Sequence, residues 1–183
     1  MTEARIAYLC ADPGIPPDSS KGASVHFRAM ASAMAHNGAA LDVYMTRAGA
    51  VDGFAPHRAQ IVPTPRAPGI AGEIAQLAHS RTVMDALVAG GPHTAIYERL
   101  SLFSAGGLAY ARAKNIPFVV EVNAPLWIEA AEFRELHLAA TAQALCIDVL
   151  RTADAVFSVS KVLAEMLVEV GAPRDRVHVL GNG

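Results

Sequence analysis

The residues of this 183-residue chain best suited to chemistry stand where apolar runs give way to loops. In Glu121-Val122-Asn123-Ala124-Pro125-Leu126 the carboxylate and the carboxamide alternate about Val122, so both point to one side if the strand reaches that far. Pro125 keeps Ala124 out of the helical region and forces a loop. Polar groups at a buried strand end need partners, so Glu121 either ties down neighbouring loops or meets a ligand. Arg99 closes the preceding apolar run, following Tyr97-Glu98, and could pair with Glu121 or bind an anion. The third candidate is Lys21-Gly22-Ala23-Ser24, at the end of a long loop and the start of a helix. Helix N-termini present unpaired N–H groups and a positive dipole end, which suits an anion. Gly22 would let a phosphate or sugar approach the backbone closely. Loop length, position and glycine all favour that use over a plain capped connection.

Other chemistries are excluded by what the chain lacks. No G-x-G-x-x-G follows the first strand, and the second ends Tyr44-Met45-Thr46-Arg47 with no acid for a ribose. No G-x-x-x-x-G-K-[ST] is present, and Lys21 precedes its glycine. There is no H-E-x-x-H, no closely spaced cysteine pair and no G-x-S-x-G elbow. Glu132, Glu135 and His137 are close in sequence, but a helix would spread them over different faces. Dehydrogenase, P-loop, zinc-hydrolase and α/β-hydrolase chemistry are therefore not expected.

The elements that must position these groups alternate in type. Strands are expected at Arg5–Cys10, Leu41–Thr46, Ala59–Pro63, Thr94–Glu98, Phe118–Val122, Ala155–Val159 and Val177–Leu180. Each is short and almost continuously apolar, as strands covered on both faces are. Helices are expected at Ser24–Asn37, Ile70–Gly90, Ser101–Lys114, Glu129–Thr152 and Lys161–Val170, with Ser24, Ser101 and Ser160 as caps. The segment Ala48–Gly69, with several Pro and Gly, is expected to wrap the surface. Such alternation predicts an α/β fold, a doubly wound and mainly parallel sheet of about seven strands with helices on both faces. Ligands then bind beyond the C-terminal strand ends, at Ala11–Ala23, Arg99–Leu100, Asn123–Ile128 and Ser158–Ser160.

Length fits one domain, and 52% apolar against 17% charged residues leaves ample surface to bury. A net charge of −2 and pI near 6.4 offer no basic field for nucleic acid. Cys10 and Cys146 are far apart and read as buried thiols of a cytoplasmic protein. The apolar run Ile6–Cys10 is too short for a signal peptide, and no stretch approaches a membrane span.

Three features in order resemble the N-terminal domain of GT-B glycosyltransferases of family 4, also called glycosyl transferase group 1. They are Lys21-Gly22-Ala23-Ser24-Val25-His26 before a helix ending Asn37-Gly38; Tyr97-Glu98-Arg99 followed by Ile116 to Leu126; and Ala153-Asp154-Ala155-Val156-Phe157-Ser158-Val159-Ser160, then Gly171-Ala172-Pro173, Val177-His178-Val179-Leu180 and Asn182-Gly183. Together they span essentially the whole chain.

The resemblance implies an enzyme of two Rossmann-like domains with its active site between them. Residues 1–183 would be the acceptor-side half, inactive alone, and its own missing C-terminal domain would bind the nucleotide-sugar donor. It further implies a retaining, hexosyltransferase-type reaction with the acceptor hydroxyl as nucleophile, no metal and no cofactor, the nucleotide-sugar being a substrate. Lys21, Gly22, Ala23 and Ser24 would meet the donor phosphates or sugar; His26, Arg99, Glu121 and Ser160 would meet the acceptor. Asn123 and Glu129 form the expected catalytic pair. Many relatives have histidine where Asn123 stands; asparagine can hydrogen-bond a sugar hydroxyl but cannot transfer a proton. A lipid acceptor would add peripheral membrane contact. The rival readings are a stand-alone, non-catalytic sugar- or partner-binding module, and half of a GT-B-type epimerase or phosphorylase.

Overall fold

Almost continuous apolar runs become strands covered from both sides. The computed structural model describes residues 4–49 and 58–181. Their order is β1 (Arg5–Cys10), α1 (Gly22–His36), β2 (Ala40–Met45), β3 (Arg58–Ile61), α2 (Gly69–Gly90), β4 (Ala95–Arg99), α3 (Gly106–Lys114), β5 (Phe118–Val122), α4 (Leu126–Phe133), α5 (Ala139–Thr152), β6 (Ala155–Ser158), α6 (Lys161–Glu169) and β7 (Val177–Val179). The strands form one seven-stranded sheet in the order β3-β2-β1-β4-β5-β6-β7, every neighbouring pair parallel. The expected fold class is what the chain adopts.

Alternation along β1 divides the core in two. Tyr8 and Cys10 face α1, meeting Phe27 and Ala31 together with Leu41, Val43 and Met45 of β2. Ala7 and Leu9 face the opposite layer, where Val83 and Leu87 of α2, Leu108 and Tyr110 of α3 and Val149 and Leu150 of α5 close the other side. Right-handed crossovers require this division: the connection from β1 to β2 runs one way along the sheet and those from β3 onward run the other. Both thiols sit in these cores as free cysteines, and burial pushes each up to about 12, so neither is a nucleophile.

Three helices depart from expectation at their ends. α1 starts at Gly22 with Lys21 as its cap, and Ser24 is a buried first-turn residue. α3 starts only at Gly106, because residues 100–105 form a bent loop in which Phe103 takes a left-handed φ of 60°. The single helix expected over Glu129–Thr152 is broken into α4 and α5. The break has a remote cause. Glu73 of α2 reaches across, and its two carboxylate oxygens accept the backbone N–H groups of His137 (2.8 Å) and Leu138 (2.6 Å). It thereby supplies the cap that no local side chain provides. β3 is the strand expected at Ala59–Pro63, starting one residue earlier and ending two sooner, within the segment expected to wrap the surface; residues 50–57 of that segment lie outside the described residues.

At the N-terminal end of the sheet a buried polar network joins β1, β2, α2 and α3. Asp42 Oδ2 accepts from Arg5 Nε (2.8 Å) and lies 3.1 Å from His93 Nε2, while His93 Nδ1 lies 3.1 Å from Tyr110 Oη. Burial, the largest influence, lowers the His93 pKa below the usual 6.5, with Asp42 pulling the other way. Stability supplied by neutral His93 is complete above pH 6.5 and is lost as pH falls through the lowered folded value. Urea unfolding should therefore show wild type losing more stability than His93→Gln between pH 7.5 and pH 5. Glu73→Ala, which strands two N–H groups at the start of α5, should cost about 1–3 kcal/mol in the same assay.

Candidate active site

The strand order reverses beside β1: the chain leaves toward β2 and β3 and returns to β4 on the other flank. The loops after β1 and β4 consequently part, leaving a crevice at the C-terminal strand ends, where open α/β sheets bind ligands. A cleft of about 550 Å³ occupies it, a size that suits a small ligand. Gly22, Ala23 and His26 of α1, Arg99 of β4, Asn123 after β5 and Glu129 of α4 all line it. A narrower compartment of about 120 Å³ adjoins it between α2 and α4.

Behind the cleft the Glu121 carboxylate, 2% exposed, gathers the elements around it. Arg99 pairs with it across the β4–β5 ladder, its Nη1 lying 3.4 Å from Oε1. Tyr97 Oη donates to Oε2 at 2.7 Å, and Asn123 Nδ2 donates to Oε1. His26 Nε2 stands 2.8 Å from Oε1. A carboxylate can only accept, so this contact requires a proton on Nε2. Burial and the adjacent Glu121 hold the Tyr97 phenol well above its usual pKa, which keeps it a neutral donor. Asn123 spends an N–H on Glu121, leaving its carbonyl oxygen to accept from a hydroxyl.

The loop between β1 and α1 is tied down over this network. Asp12 Oδ1 accepts from Gly14 N at 2.7 Å, and Arg28 Nη1 donates to the carbonyls of Pro17 and Ser19 (2.9 Å to the latter). A Cβ on Gly22 would meet nothing within 4 Å, so the open space over the first turn of α1 faces outward rather than into packing.

The profile of Glycosyltransferase Family 4 matches residues 20–183. The chain belongs to that family. No curated protein matches it. Among solved structures, sucrose-phosphate synthase from Thermosynechococcus elongatus is similar with a TM-score of 0.71 and 15% identity, over 99% of this chain and 48% of that one. HepE from Anabaena in complex with UDP and glucose follows at 0.66 and 16%, over 99% and 45%. A UDP-N-acetylglucosamine 2-epimerase from Rickettsia bellii gives 0.63 and 10%, over 98% and 45%. The fold is thus one Rossmann-like half of the GT-B architecture, and the chain spans less than half the length of these proteins.

Within this family 4 domain the residues expected at the site divide into three groups. Gly22, Ala23, His26, Arg99, Asn123 and Glu129 meet on the one cleft. Glu121 lies just beneath, bonded to three of them or their neighbours. Lys21, Ser24 and Ser160 are outside the lining: Lys21 is exposed at the cap of α1, Ser24 is buried with no hydrogen bond to its Oγ, and Ser160 Oγ caps α6 by accepting from Leu163 N at 3.2 Å. Sequence reading did not assign Tyr97, Asp12, Gln76 or Arg134 to the site. Tyr97 carried a signal, since two residues from Arg99 it must share that residue's side of β4. Gln76 carried none, being one polar residue among many on a long helix. Among the described residues no three His, Cys, Asp or Glu side chains gather as a metal site, and no helix is long and apolar enough to cross a membrane.

On the opposite side of β4 a second acid behaves differently. Glu98 is 1% exposed; Ser104 Oγ donates to its Oε1 at 2.7 Å, while Oε2 has no hydrogen-bond partner. A Cβ on Gly107 would fall 2.1 Å from Oε2, so any larger residue at the start of α3 would have to displace the buried Glu98 side chain. Burial pushes the Glu98 carboxyl up to about 7, with the Ser104 bond opposing. Neutral Glu98 contributes stability that is complete below pH 4.5 and is lost as pH rises through about 7. The loss should approach about 3 kcal/mol by pH 9, and Glu98→Gln, measured by urea unfolding across that range, should remove this part of the pH dependence.

Proposed function

We propose that this chain is the N-terminal, acceptor-side half of a retaining glycosyltransferase that moves a hexose from a nucleotide-sugar to an acceptor hydroxyl. The observation that carries this reading is the meeting of the α1 N-terminus at Gly22 and Ala23 with His26, Arg99 and Asn123 on one cleft. The relatives bound to UDP and glucose and the family membership support it. The donor half, absent from this chain, closes the cleft from the other side and carries most of the nucleotide contacts.

In this mechanism α1 aims its free N–H groups at the diphosphate as the glycosidic bond breaks. Negative charge grows there in the transition state, and fixed donors stabilise it without reorganising. Asn123 accepts from a sugar hydroxyl through Oδ1 and orients the ring. Glu129 accepts from the acceptor hydroxyl and aligns it. Arg99 and His26, held in place by Glu121, frame the floor of the cleft beneath the leaving group. No metal is invoked, and no residue of this half forms a covalent intermediate.

The test is the complete gene product, assayed with a panel of nucleotide-sugars for release of nucleoside diphosphate. Turnover is expected with at least one donor, and none from residues 1–183 alone; a complete product that turns over no donor removes the reading. Gly22→Val should fill the open space over α1, lowering kcat/KM about 100-fold while the urea midpoint stays unchanged. Unchanged kinetics would take the α1 loop out of the site.

A further inference from the structure

The side compartment next to the main cleft has a character of its own. Three side chains that line it have no hydrogen-bond or ion-pair partner within the described chain: Gln76 of α2, Glu129 of α4 and Arg134 at the C-terminal end of α4. They come from two helices remote in sequence and converge on one space. Facing them is an apolar wall of Pro13, Leu102, Leu126 and Ala130. A space of about 120 Å³ holds about four waters, so it takes one edge of a ring rather than a whole large ligand.

Those two walls match the two aspects of a carbohydrate, whose C–H face is apolar and whose rim is hydroxylated. An acyl chain fits poorly, because it would close over the half-buried Gln76 side chain without giving it a partner. Charge selects further. Asp12 and Glu129 set two carboxylates against the single guanidinium of Arg134, an excess of one negative charge that disfavours phosphate or carboxylate substituents. The main cleft shares Asp12, Glu129 and Arg134 and adds Arg99, paired with Glu121 beneath it, and the N–H groups of the α1 N-terminus.

Resting on the transferase reading above, we propose that the side compartment selects the acceptor and admits an uncharged saccharide or polyol. Its hydroxyl rim meets Gln76, Glu129 and Arg134, and its C–H face rests on Leu102 and Leu126. Gln76 and Arg134 are thus specificity residues.

Saturation-transfer NMR on the chain tests this, with glucose, galactose, mannose and myo-inositol as neutral probes and glucose 6-phosphate as the charged one. At least one neutral probe should receive saturation at its ring C–H protons, with glucose 6-phosphate weaker than glucose. Gln76→Leu should weaken that neutral probe about tenfold or more, the loss expected for a broken polar contact. Val162→Ala, on the exposed face of α6, should not. Stronger binding of the phosphate, no binding of any neutral probe, or wild-type binding by Gln76→Leu overturns the assignment. Kinetics on the complete gene product separate the two readings. Transfer that persists while Gln76→Leu raises the donor KM alone defeats this compartment and spares the transferase. Neutral-sugar binding that depends on Gln76, with no nucleotide-sugar turned over, does the reverse.

Discussion

A carboxylate removed from water must be surrounded by donors, and Glu121 is the group around which the cleft is arranged. Desolvating such a charge without partners is prohibitive. Its donors come from everywhere at once: Tyr97 and Arg99 from β4, His26 from α1 and Asn123 from its own loop. The β4–β5 register sets Arg99 opposite Glu121, and His26 lies one turn along α1 from Gly22. The spacing between the α1 N-terminus and Asn123 is therefore fixed by where one carboxylate finds its partners. Truncating Glu121 would leave Arg99 as an uncompensated buried charge, the costly way to break such a pair.

Glu98 is the instructive contrast. It sits one strand away and faces the opposite layer, equally buried, yet one hydrogen bond from Ser104 is all it has. Burial with one oxygen unpartnered shifts Glu98 toward its neutral acid, whereas Glu121 is met by Arg99, His26, Tyr97 and Asn123. Two glutamates of similar burial thus take different roles because their donor sets differ. His93 and Glu98 also act with opposite sign over the mildly acid range: the first withdraws stability as pH falls below 6.5 and the second as pH rises from 4.5 through about 7, so the two partly offset there.

Much of this was legible in the chain because its causes are local. Continuous apolar runs marked the strands, and the loop ending at Gly22 marked the opening of α1. The alternation Glu121-Val122-Asn123 placed carboxylate and amide together, and Arg99 at the preceding strand end was a ready partner. What escaped had remote causes. The pattern over Glu129–Thr152 is helical throughout, and only Glu73, on another helix, makes a break between α4 and α5 stable. Ser101 looks like a helix cap, but the left-handed turn at Phe103 and the bond from Ser80 to the Phe103 carbonyl delay α3 to Gly106. Gln76 meets Glu129 and Arg134 in the side compartment only through tertiary packing that brings α2 beside α4, far along the chain. No spacing in its own neighbourhood encodes that.

The short helix α4 has a consequence for how such a site diversifies. Its inner side is pinned by Trp127 and Ala130, its start by the turn through Pro125, and the chain beyond it by Glu73. Its outward residues, among them Ile128, Glu129 and the 79%-exposed Phe133, make little of the core. A two-turn segment anchored at both ends behaves as an exchangeable cassette. Substitutions at its outer positions, such as Ile128 and Phe133, can change the surface beside the cleft while the anchors, and hence folding, go on unaffected.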